Sequence, residues 1–140
     1  MGHGVLKMKN EGGESMKYKL EITQEQADII SKACDLYCRL RLGQFDRIVD
    51  HTLEERLLDG LSVNEYIEWK ERMENHLLAA RTVCFDELSK TFQHSYGLGH
   101  DAACQIAFNI HQVLRYHAGH DTRLPMAVWG ELPEIEEITE

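Results

Sequence analysis

No stretch of the chain approaches the roughly 20 consecutive apolar residues that a membrane-spanning helix needs, and no secretory signal opens it. Basic residues are scarce: 15 lysines and arginines stand against 24 aspartates and glutamates, a formal net charge of −9. Non-specific nucleic-acid binding, which needs clustered lysine and arginine, is disfavoured on that ground. Proline occurs twice, both times after Gly119, which leaves the helical patterns upstream free of it. There is no G-x-x-x-x-G-K-[ST] phosphate loop and no nucleophile elbow. Nor do the four cysteines contain a C-x2-C pair, the spacing a zinc site prefers. Cys34 and Cys38 lie four apart on one expected helix, with Cys84 and Cys104 on two others, so they read as small core hydrophobes kept reduced in a cytoplasm.

What is present suits one soluble domain: 140 residues, 43% hydrophobic and 28% charged. The charge is uneven, since the last dozen residues, "WGELPEIEEITE", hold five glutamates and no base, and without them the balance is −4. Residues 1–15, with four glycines and no apolar period, are expected to form a flexible leader. Residues 16–124 are expected to form a single helical domain and residues 125–140 an extended acidic tail. Within the domain, "KYKLEIT" (17–23) alternates as a short strand does. Thr23 with Gln26 forms a capping box before a helix over about 24–42, with Ile29, Ala33, Leu36 and Leu40 at spacings of four and three. Gly43 breaks it, and short helical pieces follow to Asp59-Gly60. A box at Ser62 and Glu65 opens a helix over about 63–92 whose buried face reads Tyr66, Met73, Leu77, Ala80, Cys84 and Leu88. Asp101 can cap a last helix over about 102–118, with Ala103, Ile106, Ala107, Ile110, Leu114 and His117 inward. The expected fold is mainly α, a small antiparallel helical bundle with one short N-terminal edge strand and the acidic tail.

Three constellations carry chemistry. Arg39, Arg41, Gln44, Phe45 and Arg47 crowd "CRLRLGQFDRIVDH": guanidinium groups answer phosphate or carboxylate, and a ring answers a base. The loop "HSYGLG" offers the Ser95 and Tyr96 hydroxyls beside glycines that permit close backbone approach. The helix "NIHQVLRYH" puts His111, Gln112 and Arg115 on one donor-rich side. Six histidines, namely His51, His94, His100, His111, His117 and His120, admit a metal-dependent phosphohydrolase built on the two "GHD" stretches. Both aspartates fall at expected helix ends, however, and His111 and His117 are six apart, outside ligand spacing on a helix.

With "T-x-E-Q" at 23–26, "R-x-G-Q-F" at 41–45, "SYG" at 95–97, "QV-x-R" at 112–115 and the acidic end, residues 16–140 resemble a family of small uncharacterised proteins of bacteriophage and prophage genomes. The resemblance points to Arg41, Gly43, Gln44, Phe45, Ser95, Tyr96, Gly97, Gln112, Arg115 and His117. It departs at "GHDAACQ" and "HAGHDTR", and it implies an origin and a set of positions without implying a reaction. The expectation is a non-enzymatic phage-type protein, without cofactor, in the cytoplasm of an infected or lysogenic host. It would bind and sequester a small anionic nucleotide signal of an antiphage system, with Phe45 or Tyr96 stacked on the base. A protein-binding inhibitor or nucleic-acid mimic working through the acidic surface is the alternative. Arginines converging in a cleft favour the first, and arginines paired with acidic residues favour the second. A tail with Pro125, Trp129 and Pro133 among apolar residues suggests a homodimer or higher assembly.

Overall fold

A computed structural model describes residues 16–127 and 130–138. The chain is mainly helical: α1 (Gln24–Arg41), a 3-10 segment (Phe45–His51), α2 (Leu53–Leu58), α3 (Val63–Cys84), a 3-10 turn (Leu98–His100) and α4 (Ala102–His117). The expected leader, residues 1–15, lies outside the described residues, as does Trp129 of the tail. Residues 17–23 take no strand form, and no strand occurs among the described residues. Alternation specifies two faces, but a strand also needs a neighbour for its backbone hydrogen bonds, and the described residues offer none.

The helix starts follow from their caps. Thr23 Oγ1 accepts from the Gln26 N–H at 3.1 Å while Gln26 Oε1 accepts from the Thr23 N–H at 2.9 Å, a complete capping box. At α3 only half the box forms: the Glu65 N–H donates to Ser62 Oγ, and that hydroxyl turns to the Glu65 carboxylate. Asp101 caps α4 through the Cys104 N–H at 2.8 Å. α1 ends in a Schellman turn, with Gly43 N–H bonded to the Leu40 carbonyl and Gln44 N–H to that of Arg39. Gly43 carries the left-handed φ of +84° that this turn requires.

α1 and α4 pack antiparallel, as the pairs Ser31 with His111 and Cys38 with Cys104 show. The contact is made by small side chains: Ala27, Ser31 and Cys38 of α1 are buried, with Cys104 and Ala107 opposite and Leu42 alongside. This corrects the expected faces. Ile29 is 65% exposed and Ala33 is also exposed, while on α4 Cys104, Asn109 and Val113 are buried in place of Ile106, which is exposed. Small residues let two helix backbones approach closely, and that approach decides which face turns inward.

α3 departs further. It stops at Cys84, eight residues before the expected end, and its one fully buried side chain is Arg81, 1% exposed, while Ala80 and Cys84 of the expected face are exposed. Phe85 leaves the helix (φ −137°, ψ 72°) to set its ring edge-on against Phe45 and Tyr96. The loop that follows is gathered onto the Arg81 guanidinium. Nη1 donates to the carbonyls of Gly43 (3.3 Å) and His94 (2.8 Å), Nη2 to those of Ser89 and Thr91, and the group lies over the Phe92 ring at 4.9 Å.

Replacing Arg81 with Met, which keeps length but removes every donor, should take the guanidinium's hydrogen bonds from four backbone carbonyls, of which Thr91 keeps a bond from Ser89 Oγ, and cost about 3 kcal/mol or more in urea unfolding. Gly43→Ala should cost about 1–3 kcal/mol by the same measurement. Its φ is left-handed, and an added Cβ would stand 2.6 Å from Leu88 Cδ1.

Candidate functional site

Polar side chains converge where α1, the 3-10 segment and α4 meet, around Asp35. Its Oδ1 accepts from Arg39 Nε at 3.3 Å, and His111 Nε2 and His51 Nε2 each stand 3.8 Å from a carboxylate oxygen. All four side chains are between 17% and 29% exposed, half-buried yet open to solvent. His111 is fixed from behind, its Nδ1 lying 3.0 Å from the Ser31 carbonyl and 2.9 Å from Ser31 Oγ. On the other side Arg39 Nη1 donates to Gln44 Oε1 (3.3 Å) and Gln44 Nε2 donates to Ser95 Oγ (3.1 Å). The Tyr96 N–H closes the link by donating to the Leu42 carbonyl at 2.9 Å.

The structure thus joins Arg39, Gln44, Ser95 and His111 of the expected site into one network and adds Asp35 and His51. The remaining expected residues go elsewhere. Arg41 pairs with Asp101 at 3.1 Å and lies over the Tyr37 ring. Arg47 pairs with Asp50 at 3.2 Å, and Arg115 with Asp121 at 3.2 Å. Phe45 serves the aromatic cluster through Phe85 at 6.1 Å. Tyr96 has one ring face covered by His100, stacked 3.7 Å away and nearly parallel. Gln112 clamps the start of the tail, exchanging hydrogen bonds with the backbone of Met126. Each of the four arginines proposed for phosphate therefore has an aspartate partner in its own chain, because the helix ends and turns that carry them also carry aspartates.

The histidines do not gather at one end either. His94 meets Ser89, His100 meets Tyr96, and His117 and His120 are exposed. Among the described residues no group of three or more His, Cys, Asp or Glu side chains is placed to hold a metal ion. Asp101 is a helix cap, its carboxyl held below the ordinary carboxylate range by the Cys104 N–H and then by Arg41.

Beneath Arg39, the Cys38 and Cys104 sulfurs stand 2.7 Å apart, both essentially without solvent contact. Burial, followed by the neighbouring Cys104 thiol, pushes the Cys38 thiol up to about 12, and burial also raises Cys104. Sequence reasoning passed over Arg81 and Asp35. The signal for Arg81 was available, since it is the one charge within "LLAARTVCF". Asp35 offered only its i,i+4 spacing to Arg39, since its histidine partners are 16 and 76 positions away.

Comparison with protein-family models, curated proteins and solved structures finds no match for the chain. Its function is therefore argued from its own geometry.

The thiols give a test of this packing. A cysteine alkylating reagent should label exposed Cys84 in the native protein while sparing Cys38 and Cys104. Because the unfolded chain releases the Cys38 proton near 9.0 and the folded chain near 12, stability should fall as pH rises through that window. A Cys38→Ala variant should show a shallower fall in its urea midpoint over the same window.

Proposed function

We propose that this chain is a non-enzymatic binding protein of phage type. In this reading it docks an acidic helical face onto a host protein whose own surface is basic, such as one that binds nucleic acid. The observation that carries the reading is the distribution of paired and unpaired charge. Arg39, Arg41, Arg47 and Arg115 are each neutralised internally, whereas Glu54, Glu55, Asp59, Glu68, Glu71 and Glu74 on α2, its turn and α3 make no ion pair with any described residue. Residues 54–74 hold seven carboxylates against the bases Arg56, Lys70 and Arg72, a net charge of −4, and a net negative field on rigid helices steers a basic partner and sets orientation more than it sets affinity. Glu134, Glu136 and Glu137 extend that field along the tail, and the alternating residues 17–23 take strand form only where another chain offers an edge. The site of action is the cytoplasm of the infected or lysogenic cell, and no described helix is long and apolar enough to cross a membrane.

A second reading keeps a specific observation of its own. Arg39, Gln44, Ser95, His51 and His111 meet in one donor-rich cluster, and a nucleotide that opened the Arg39–Asp35 pair would find phosphate donors there, with Asp35 left to accept from a ribose hydroxyl. Sequestration of an anionic nucleotide signal would then proceed at this cluster.

One pair of measurements separates them. Immobilised protein should retain host nucleic-acid-binding proteins that duplex DNA competes off, that raised salt releases, and that the triple variant Glu68→Lys, Glu71→Lys, Glu74→Lys no longer retains. Retention indifferent to charge reversal sinks the acidic-face reading. A rise in melting temperature with a cyclic or linear nucleotide, abolished by Arg39→Ala, moves the function to the Asp35 cluster.

A further inference from the structure

α1 has two apolar faces, and the chain covers the second of them only at its C-terminal end. The face with Ala27, Ser31 and Cys38 is buried against α4. The other carries Ile29, Ala33, Leu36 and Leu40 at spacings of four, three and four, which is the seam along which two helices pair. In the folded chain Leu36 and Leu40 are half-buried, but over its N-terminal half the seam is open: Ile29 is 65% exposed and Ala33 is exposed. Ile29 borders an open apolar depression lined by Ile22, Glu25, Gln26 and Ile30. An exposed isoleucine on a pairing seam beside an apolar depression is surface that a soluble monomer gains nothing by displaying.

We propose that this seam pairs antiparallel with the same seam of a second copy of the chain, about a two-fold axis beside Ile29. The occupant and its direction follow from charge. Glu25 and Lys32 flank Ile29, four residues before it and three after, on the same side of the seam, and neither makes an ion pair with a described residue. In an antiparallel pair centred there, Glu25 of each copy comes opposite Lys32 of the other, so two-fold symmetry makes the contact twice. A parallel pair in register would carry the two Glu25 side chains to opposite sides of the seam, and likewise the two Lys32, so neither would meet its opposite charge. The same geometry seats each Ile29 in the other copy's depression. An isologous contact needs one self-complementary patch, and this stretch of α1 carries both signs of charge at the spacing required. The acidic face of α2 and α3 takes no part in it, so the two surfaces stand or fall separately.

The test is the mass of the purified full chain in solution by sedimentation equilibrium, read beside far-UV circular dichroism. The expected mass is twice that of the 16.2 kDa chain. Ile29→Asp should give the monomer with unchanged helix content, because Ile29 lies outside the chain's own core. Lys32→Glu should weaken the dimer by about tenfold, and adding Glu25→Lys to it should restore the wild-type dissociation constant. A wild-type monomer at the highest soluble concentration overturns the proposal. So does a dimer indifferent to Ile29→Asp, or a double charge reversal that fails to recover what the single one lost.

Discussion

The Arg81 guanidinium, buried in the middle of the molecule, donates to a carbonyl at the end of α1 and to three carbonyls of the loop after α3. An irregular loop carries backbone acceptors that must be satisfied once water is excluded, and a planar group with five N–H donors can satisfy several from one point. Lysine, with a compact ammonium, has no equivalent reach. Desolvating that charge costs several kcal/mol, which four carbonyl dipoles and the face of Phe92 offset without a carboxylate partner. Much else is set by this arrangement. The helix end at Cys84, the turn of Phe85 into the aromatic cluster and the tight passage of Gly43 past Leu88 bring "HSYG" beside the end of α1.

Because that loop is held there, Ser95 reaches Gln44 and Gln44 reaches Arg39, and the polar network around Asp35 becomes continuous across three elements. The network is half-buried, so its interactions are less screened than those of surface pairs. Arg41 and Arg115 sit in the last turns of α1 and α4 and Arg47 in the 3-10 segment, each paired with an aspartate. α2 and α3 carry carboxylates that take part in none of these pairs, interspersed with Arg56, Lys70 and Arg72.

The pairing of α1 with α4 shows the same economy. Helices that meet through alanine, serine and cysteine bring their backbones close, which lets two thiols touch and places His111 against Ser31. Larger apolar side chains that would have filled a wider interface are displaced outward, and Ile29 of α1 is left facing away from the chain's own core.

Local signals determined the helical class, the starts at Thr23, Ser62 and Asp101, the break at Gly43 and the presence of α4 almost to the residue. Caps and left-handed glycines act within a few residues and so are visible in sequence. Part of the site was legible as well, since donor-rich segments at 39–44, at 95 and at 111 do converge. Which face of each amphipathic helix turned inward was not legible, because periodicity says which residues share a face and only the neighbouring helix decides which face it covers. Nor was the pairing of each arginine, the choice of Asp35 as the centre of the network, or the end of α3. Arg41 with Asp101, His51 and His111 with Asp35, and Arg81 with Gly43 are contacts between residues far apart in the chain, which only the tertiary structure brings together, whereas Arg39 with Asp35 and Arg47 with Asp50 are local pairs whose spacing the sequence offers without fixing the partner.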